Sequence, residues 1–100
     1  MTGPLTNIKV LEIAGIGPGP VAGMMLADLG ADVITVERLT HETPTTDAAT
    51  ANPAIFNRGK RSVALDLKQP EAVAAVLKLI STSDMLIEGF RPGVMERLGL

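Results

Sequence analysis

Apolar side chains recur along these 100 residues in two alternating rhythms. The run IKVLEIA, Ile8 to Ala14, is apolar except for Lys9 and Glu12, the pattern of a strand covered on both faces. Beyond a Gly/Pro loop, Val21, Met24, Met25, Leu26 and Leu29 return at three- and four-residue spacing, which predicts a helix, and Gly30 supplies its stop. DVITVER (32–38) predicts a second strand and RSVALDL (61–67) a third. Pro70 then opens PEAVAAVLKLISTSD, whose Val73, Val76, Leu77 and Ile80 share one helical face. MLIEG (85–89) predicts a fourth strand, and RPGVMERLGL reads as the start of a further helix cut off by the terminus. The intervening stretch LTHETPTTDAATANPAIF, 39–56, is rich in Thr, Ala and Pro without a sustained period, and reads as an irregular, mobile loop.

Strands alternating with helices imply β-α-β units with parallel strands and right-handed crossovers. The expected fold class is therefore α/β: a Rossmann-like parallel sheet with flanking helices. In such sheets ligands gather at the carboxyl ends of the strands, so the loops beginning at Gly15, Arg38, Leu67 and Gly89 are where function is sought.

Composition narrows the classes. With 46% hydrophobic residues but only Phe56 and Phe90 as aromatics, the core must be built from aliphatic side chains and Met. A net charge of −2 argues against a nucleic-acid partner. The absence of cysteine excludes thiolate chemistry and a disulfide framework, and fits a reducing compartment. MTGPLTNIKV carries no signal-peptide pattern, and no apolar run approaches the roughly 18 residues of a membrane span. The expectation is a cytoplasmic protein with no membrane partner.

The loop GIGPGP, Gly15 to Pro20, sits where a nucleotide fold places its phosphate loop. It matches the dinucleotide fingerprint at Gly15 and Gly17 and breaks it at Pro20. Pro18 and Pro20 have no N–H to offer a pyrophosphate, so a stiff turn launching the helix, with Pro20 near its first position, explains the loop better. Glu37, at the end of the second strand, stands where a ribose-binding acid would lie, yet it cannot restore the missing donors. Basic residues instead cluster at strand ends: Arg38, then Arg58, Lys60 and Arg61, then Lys68, Arg91 and Arg97. A ligand carrying several phosphates would use such a cluster, since each hydrogen bond to a charged group contributes about 1.5–3 kcal/mol. Arg58, Lys60 and Arg61 precede their strand and are open to a second reading, as surface charges at the opposite edge.

AGIGPGP…MLADLGADVITVER, NRGKRSVALDLKQP and LIEGFRPGVMERLGL together resemble the N-terminal segment of the family III CoA-transferase superfamily (CaiB/BaiF type), and most of all its α-methylacyl-CoA racemase branch. The resemblance covers nearly the whole chain apart from 40–55. It implies that residues 1–100 are an incomplete N-terminal part of a CoA-binding Rossmann-like domain from an interlocked homodimer, with an acyl-CoA as partner. No cofactor or metal is implied, the CoA thioester itself being the substrate.

By position, the resemblance lays Arg38 against the adenosine end of CoA. It wraps the nucleotide with Leu65, Asp66, Leu67 and Lys68, and completes the contacts with Gly89, Phe90, Arg91 and Arg97. Ile16, Gly17 and Pro18 become candidates for a loop near the thioester. The branch implies epimerisation of 2-methylacyl-CoA thioesters by removal and return of the α-proton, which needs acid/base groups on opposite sides of the carbon and stabilisation of an enolate oxygen. The histidine and aspartate that do this in the racemases are expected beyond Leu100, so no catalytic residue is expected within the chain and the 100 residues alone are expected to be inactive. His41 lies in a polar loop and reads as solvated; Asp28, Asp32, Asp66 and Asp84 read as structural. Two alternatives stay open: a transferase moving CoA between an acyl-CoA and a carboxylate, and a non-catalytic CoA-binding module.

Overall fold

A computed structural model of the chain describes residues 2–15, 18–38 and 53–100. Four strands, β1 (Lys9–Ile13), β2 (Asp32–Arg38), β3 (Lys60–Leu65) and β4 (Met85–Ile87), form one sheet in the order β3-β2-β1-β4. All three pairings are parallel: Lys9 stands opposite Asp32, Val10 opposite Met85, and Val33 opposite Lys60. The helices are α1 (Pro18–Asp28), the single turn α2 (Pro53–Phe56), α3 (Pro70–Ser81) and α4 (Val94–Leu98). The chain steps from β1 to β2 in one direction across the sheet and from β3 to β4 in the other. Crossovers of one hand therefore place α1 and α3 on opposite faces.

Both faces of β1 are thus covered, which is why Val10, Leu11 and Ile13 are apolar and buried, while Glu12 is a buried exception. On one face Val10 and Val33 pack with Ala27 and Ala31; on the other Leu11, Ile13 and Val36 pack with Val76. The residues of α1 buried against the sheet are two small ones, Gly23 and Ala27, whereas Met25 and Leu29 of the expected apolar stripe are exposed. In α3 the buried seam is Ala72 and Val76 with Leu79 and Ile80 beside it, and Leu77 turns outward.

Element ends differ from the sequence reading for local reasons. The first helix begins at Pro18, two residues before Pro20, because both prolines fit a first turn whose N–H groups have no helical acceptor. It ends as expected at Gly30, whose φ of +102° permits the paired bonds Gly30 N–H to Ala27 O (3.0 Å) and Ala31 N–H to Leu26 O (3.1 Å). Gly99 closes α4 in the same way, with Leu100 N–H reaching Met95 O at 2.9 Å. The segment after Arg91 is therefore a completed short helix, not the opening of one cut off by the terminus. Strand β3 stops at Leu65 instead of Leu67 because Asp66 turns the chain: its carboxylate accepts the Lys68 N–H (3.1 Å) and its carbonyl the Gln69 N–H (3.0 Å). Of the stretch 39–56 expected to be irregular, residues 53–56 form α2, and 39–52 lie outside the described residues.

Candidate functional site

The carboxyl edge of the sheet carries a cleft of about 330 Å³. Its floor is the ends of three strands, Ile13 of β1 with Ala14 just after it, Val36 to Arg38 of β2 and Leu65 of β3. The turn Asp66–Lys68 forms one wall and Phe90, Val94 and Leu98 another. Parallel strands in register bring these residues together: Arg38 and Leu65 end β2 and β3 as partners, so the turn after β3 begins beside the arginine. Arg38 and Lys68 are exposed at the rim, while Leu65, Leu67 and Phe90 are half-buried against the core under α3. A second, more open hollow adjoins the first, sharing Leu67, Lys68 and Leu98 and adding Pro70, Val73 and Arg97. Apolar walls beneath two or three cations suit a ligand with a flat, weakly polar ring and phosphates.

The chain matches the CoA-transferase family III over residues 5–100. It belongs to that family. It is 44% identical to the human alpha-methylacyl-CoA racemase over 96% of its own length and 23% of the racemase's. To a probable fatty acyl-CoA transferase of Mycobacterium tuberculosis it is 41% identical, over 97% of this chain and 27% of that protein. A crystal structure of the M. tuberculosis protein superposes with a TM-score of 0.86, covering 100% of this chain and 29% of the other. The chain thus spans about a quarter of the length of the curated relatives it matches.

For a family III chain, six of the nine residues expected to bind CoA line the first cleft: Arg38, Leu65, Asp66, Leu67, Lys68 and Phe90. Arg97 lines the adjoining hollow beside Lys68. Gly89 and Arg91 are exposed after β4 and are not among the residues lining either hollow. Pro18 opens α1 at the surface, and Ile16 and Gly17 lie outside the described residues, as does His41. The sequence reading did not single out Val94 and Leu98, although their four-residue spacing on one helical face was the available signal.

Three basic residues of the cluster lie outside both hollows. Arg58 precedes β3 and Lys60 and Arg61 are its first two residues, and each is bound to a carboxylate. Arg58 forks onto both carboxylate oxygens of Asp28, and Arg61 onto those of Asp32, at 3.2 and 2.6 Å. Lys60 turns inward to Glu12 at 2.7 Å. The hydrogen bond from Arg58 holds the Asp28 carboxyl below its ordinary value, and Asp28 in turn raises Arg58. Strand direction decides this outcome, since residues preceding a parallel strand fall at its amino edge.

The other acidic residues singled out are engaged by backbone N–H groups. Asp84 accepts the Lys9 N–H at 2.8 Å, and Asp66 holds its turn. Among the described residues no group of three or more His, Cys, Asp or Glu side chains is placed to hold a metal ion, and no helix is long and apolar enough to cross a membrane.

Proposed function

We infer that this chain is the CoA-binding portion of an enzyme of the α-methylacyl-CoA racemase type, which epimerises 2-methylacyl-CoA thioesters. The observation that carries the CoA-binding part of the reading is the cleft, with Arg38 and Lys68 at the rim of a pocket walled by Leu65, Leu67, Phe90, Val94 and Leu98, and the 44% identity to the human alpha-methylacyl-CoA racemase supports the branch. The adenine ring lies against the apolar wall. The phosphates meet Arg38, Lys68 and Arg97, whose hydrogen bonds strengthen where the ligand excludes water. Residues 1–100 form the N-terminal part of the CoA-binding domain of a homodimer, acting in the cytoplasm.

Racemisation removes a proton from one face of the α-carbon and returns one to the other, through an enolate. Asp28, Asp32, Asp66 and Asp84 are occupied by structural hydrogen bonds, so their carboxylates serve folding. The acid/base pair is assigned to residues of the full protein outside these 100, and this chain supplies recognition. The test is exchange of the α-proton of a 2-methylacyl-CoA in deuterated water by the protein carrying this chain. Deuterium incorporation supports the racemase reading, and its absence under conditions where the thioester binds contradicts it.

A second reading has its own support in the 41% identity to the probable fatty acyl-CoA transferase. A transferase places CoA on a free carboxylate through an acyl-enzyme anhydride on an aspartate. Transfer of CoA from an acyl-CoA to added carboxylate, with no α-proton exchange, selects this reading.

A further inference from the structure

Lys60 and Glu12 form an ion pair 2.7 Å long in which each side chain is only 2% exposed. They stand on strands that are not neighbours. Lys60 begins β3 opposite Val33, and Glu12 lies on β1 opposite Thr35, so the lysine stem crosses β2 beneath α1. The ammonium also donates to the Pro20 carbonyl, in the first turn of α1, at 3.1 Å. Above the pair sits Gly23: a Cβ there would lie 1.8 Å from Glu12 Oε1 and 3.0 Å from Lys60 Nζ. One buried ammonium therefore ties the far end of β1, the first turn of α1 and the start of β3 together, and the helix carries no side chain at the point of contact.

Stability is a weak reason for such an arrangement, because taking two charges out of water costs about as much as their attraction returns, and apolar replacements often serve as well. What the pair does supply is direction. Glu12 is followed at once by Ile13 and Ala14, which line the cleft, and Pro20 belongs to the turn that opens α1 at the switch point between β1 and β4. We propose that Lys60 is a positioning residue that fixes the first turn of α1 against the carboxyl end of β1, beside the acyl end of the bound thioester. This rests on reading the cleft as an acyl-CoA site. The cleft reaches the end of β1 at Ile13 and Ala14, so a ligand that fills it and extends past β1 at the switch point meets the start of α1.

Lys60→Met alone leaves a buried, unpaired carboxylate, so the deciding variant is Glu12→Leu/Lys60→Met in the full protein, which removes both charges together. Amide hydrogen exchange at Ala22 to Met24 is expected to quicken by about tenfold while Val76 in α3 keeps its protection. Affinity for 2-methylbutanoyl-CoA is expected to fall about tenfold, with that for CoA unchanged within about twofold. Unchanged exchange in α1, general loss of protection that includes Val76, or equal effects on the two ligands overturns the proposal. A wild-type protein that binds neither ligand contradicts the reading of the cleft instead, and the α1 exchange still decides whether Lys60 holds the turn.

Discussion

Arg38 and Leu65 are register partners, each the last residue of its strand, with β2 ending in the arginine and β3 ending beside it. This pairing sets a guanidinium at the lip of an apolar cleft at the edge where parallel sheets bind ligands. Arg38 is exposed, so its removal leaves the core intact. Arg38→Ala is expected to weaken CoA binding by about 1–3 kcal/mol with little change in thermal midpoint. Calorimetric titration of well-folded protein checks this, and an unchanged affinity contradicts the site.

The amino edge makes the opposite prediction. Arg58 and Arg61 are bound to Asp28 and Asp32, away from the cleft. Arg61→Ala is expected to leave CoA affinity unaltered and to shift stability by no more than about 1 kcal/mol, the usual worth of an exposed pair. The same titration and a urea melt read both quantities.

Gly23 is the position in α1 least able to accept a side chain. A methyl group there would fall 1.8 Å from Glu12 Oε1, so either the helix lifts or the buried pair parts. Gly23→Ala is expected to cost at least about 3 kcal/mol in urea unfolding, in contrast to the gain that the same change brings at an ordinary helical site.

Acid should release one surface contact. The Arg58 hydrogen bond lowers the Asp28 carboxyl in the folded state below its ordinary value of 3.8. A lowered folded value means that the contribution is fully present above the unfolded value and disappears as pH falls through the folded one. Arg58→Gln is therefore expected to reduce stability at neutral pH and to match the wild type in strong acid. Carboxyl NMR titration should show the Asp28 midpoint rising in the variant.

Much of the fold was legible because period and punctuation agreed: DVITVER between Gly30 and a polar stretch gave β2 to the residue, and Pro70 marked the start of α3. The ends that moved were those set by side chains acting on their own backbone. Asp66 stops β3 by accepting the Lys68 N–H, and no apolar pattern encodes that bond. The inward residues of α1 were misjudged for a related reason. Close helix-to-sheet packing selects Gly23 and Ala27, which a search for large apolar residues overlooks.

The candidate site was partly legible. Arg38 and Lys68 stand out as cations at strand ends, Leu65 to Leu67 and Phe90 come from the resemblance, and all end at one cleft. The basic cluster was too broad, because charge spacing does not tell which edge of a parallel sheet a residue occupies. Lys60 shows the limit most clearly: its partner Glu12 lies 48 positions away in sequence on a strand that is not its neighbour, and only the three-dimensional register joins them.

Amide-resolved hydrogen exchange of the protein with and without CoA reads whether CoA binds at the carboxyl edge of this sheet. Binding there adds protection at Glu37, Arg38, Asp66 to Lys68 and Phe90, and none at Lys9, Asp32 or Arg58 to Arg61. Protection confined to the amino edge, or no change at Arg38 and Lys68 with CoA bound, would contradict it.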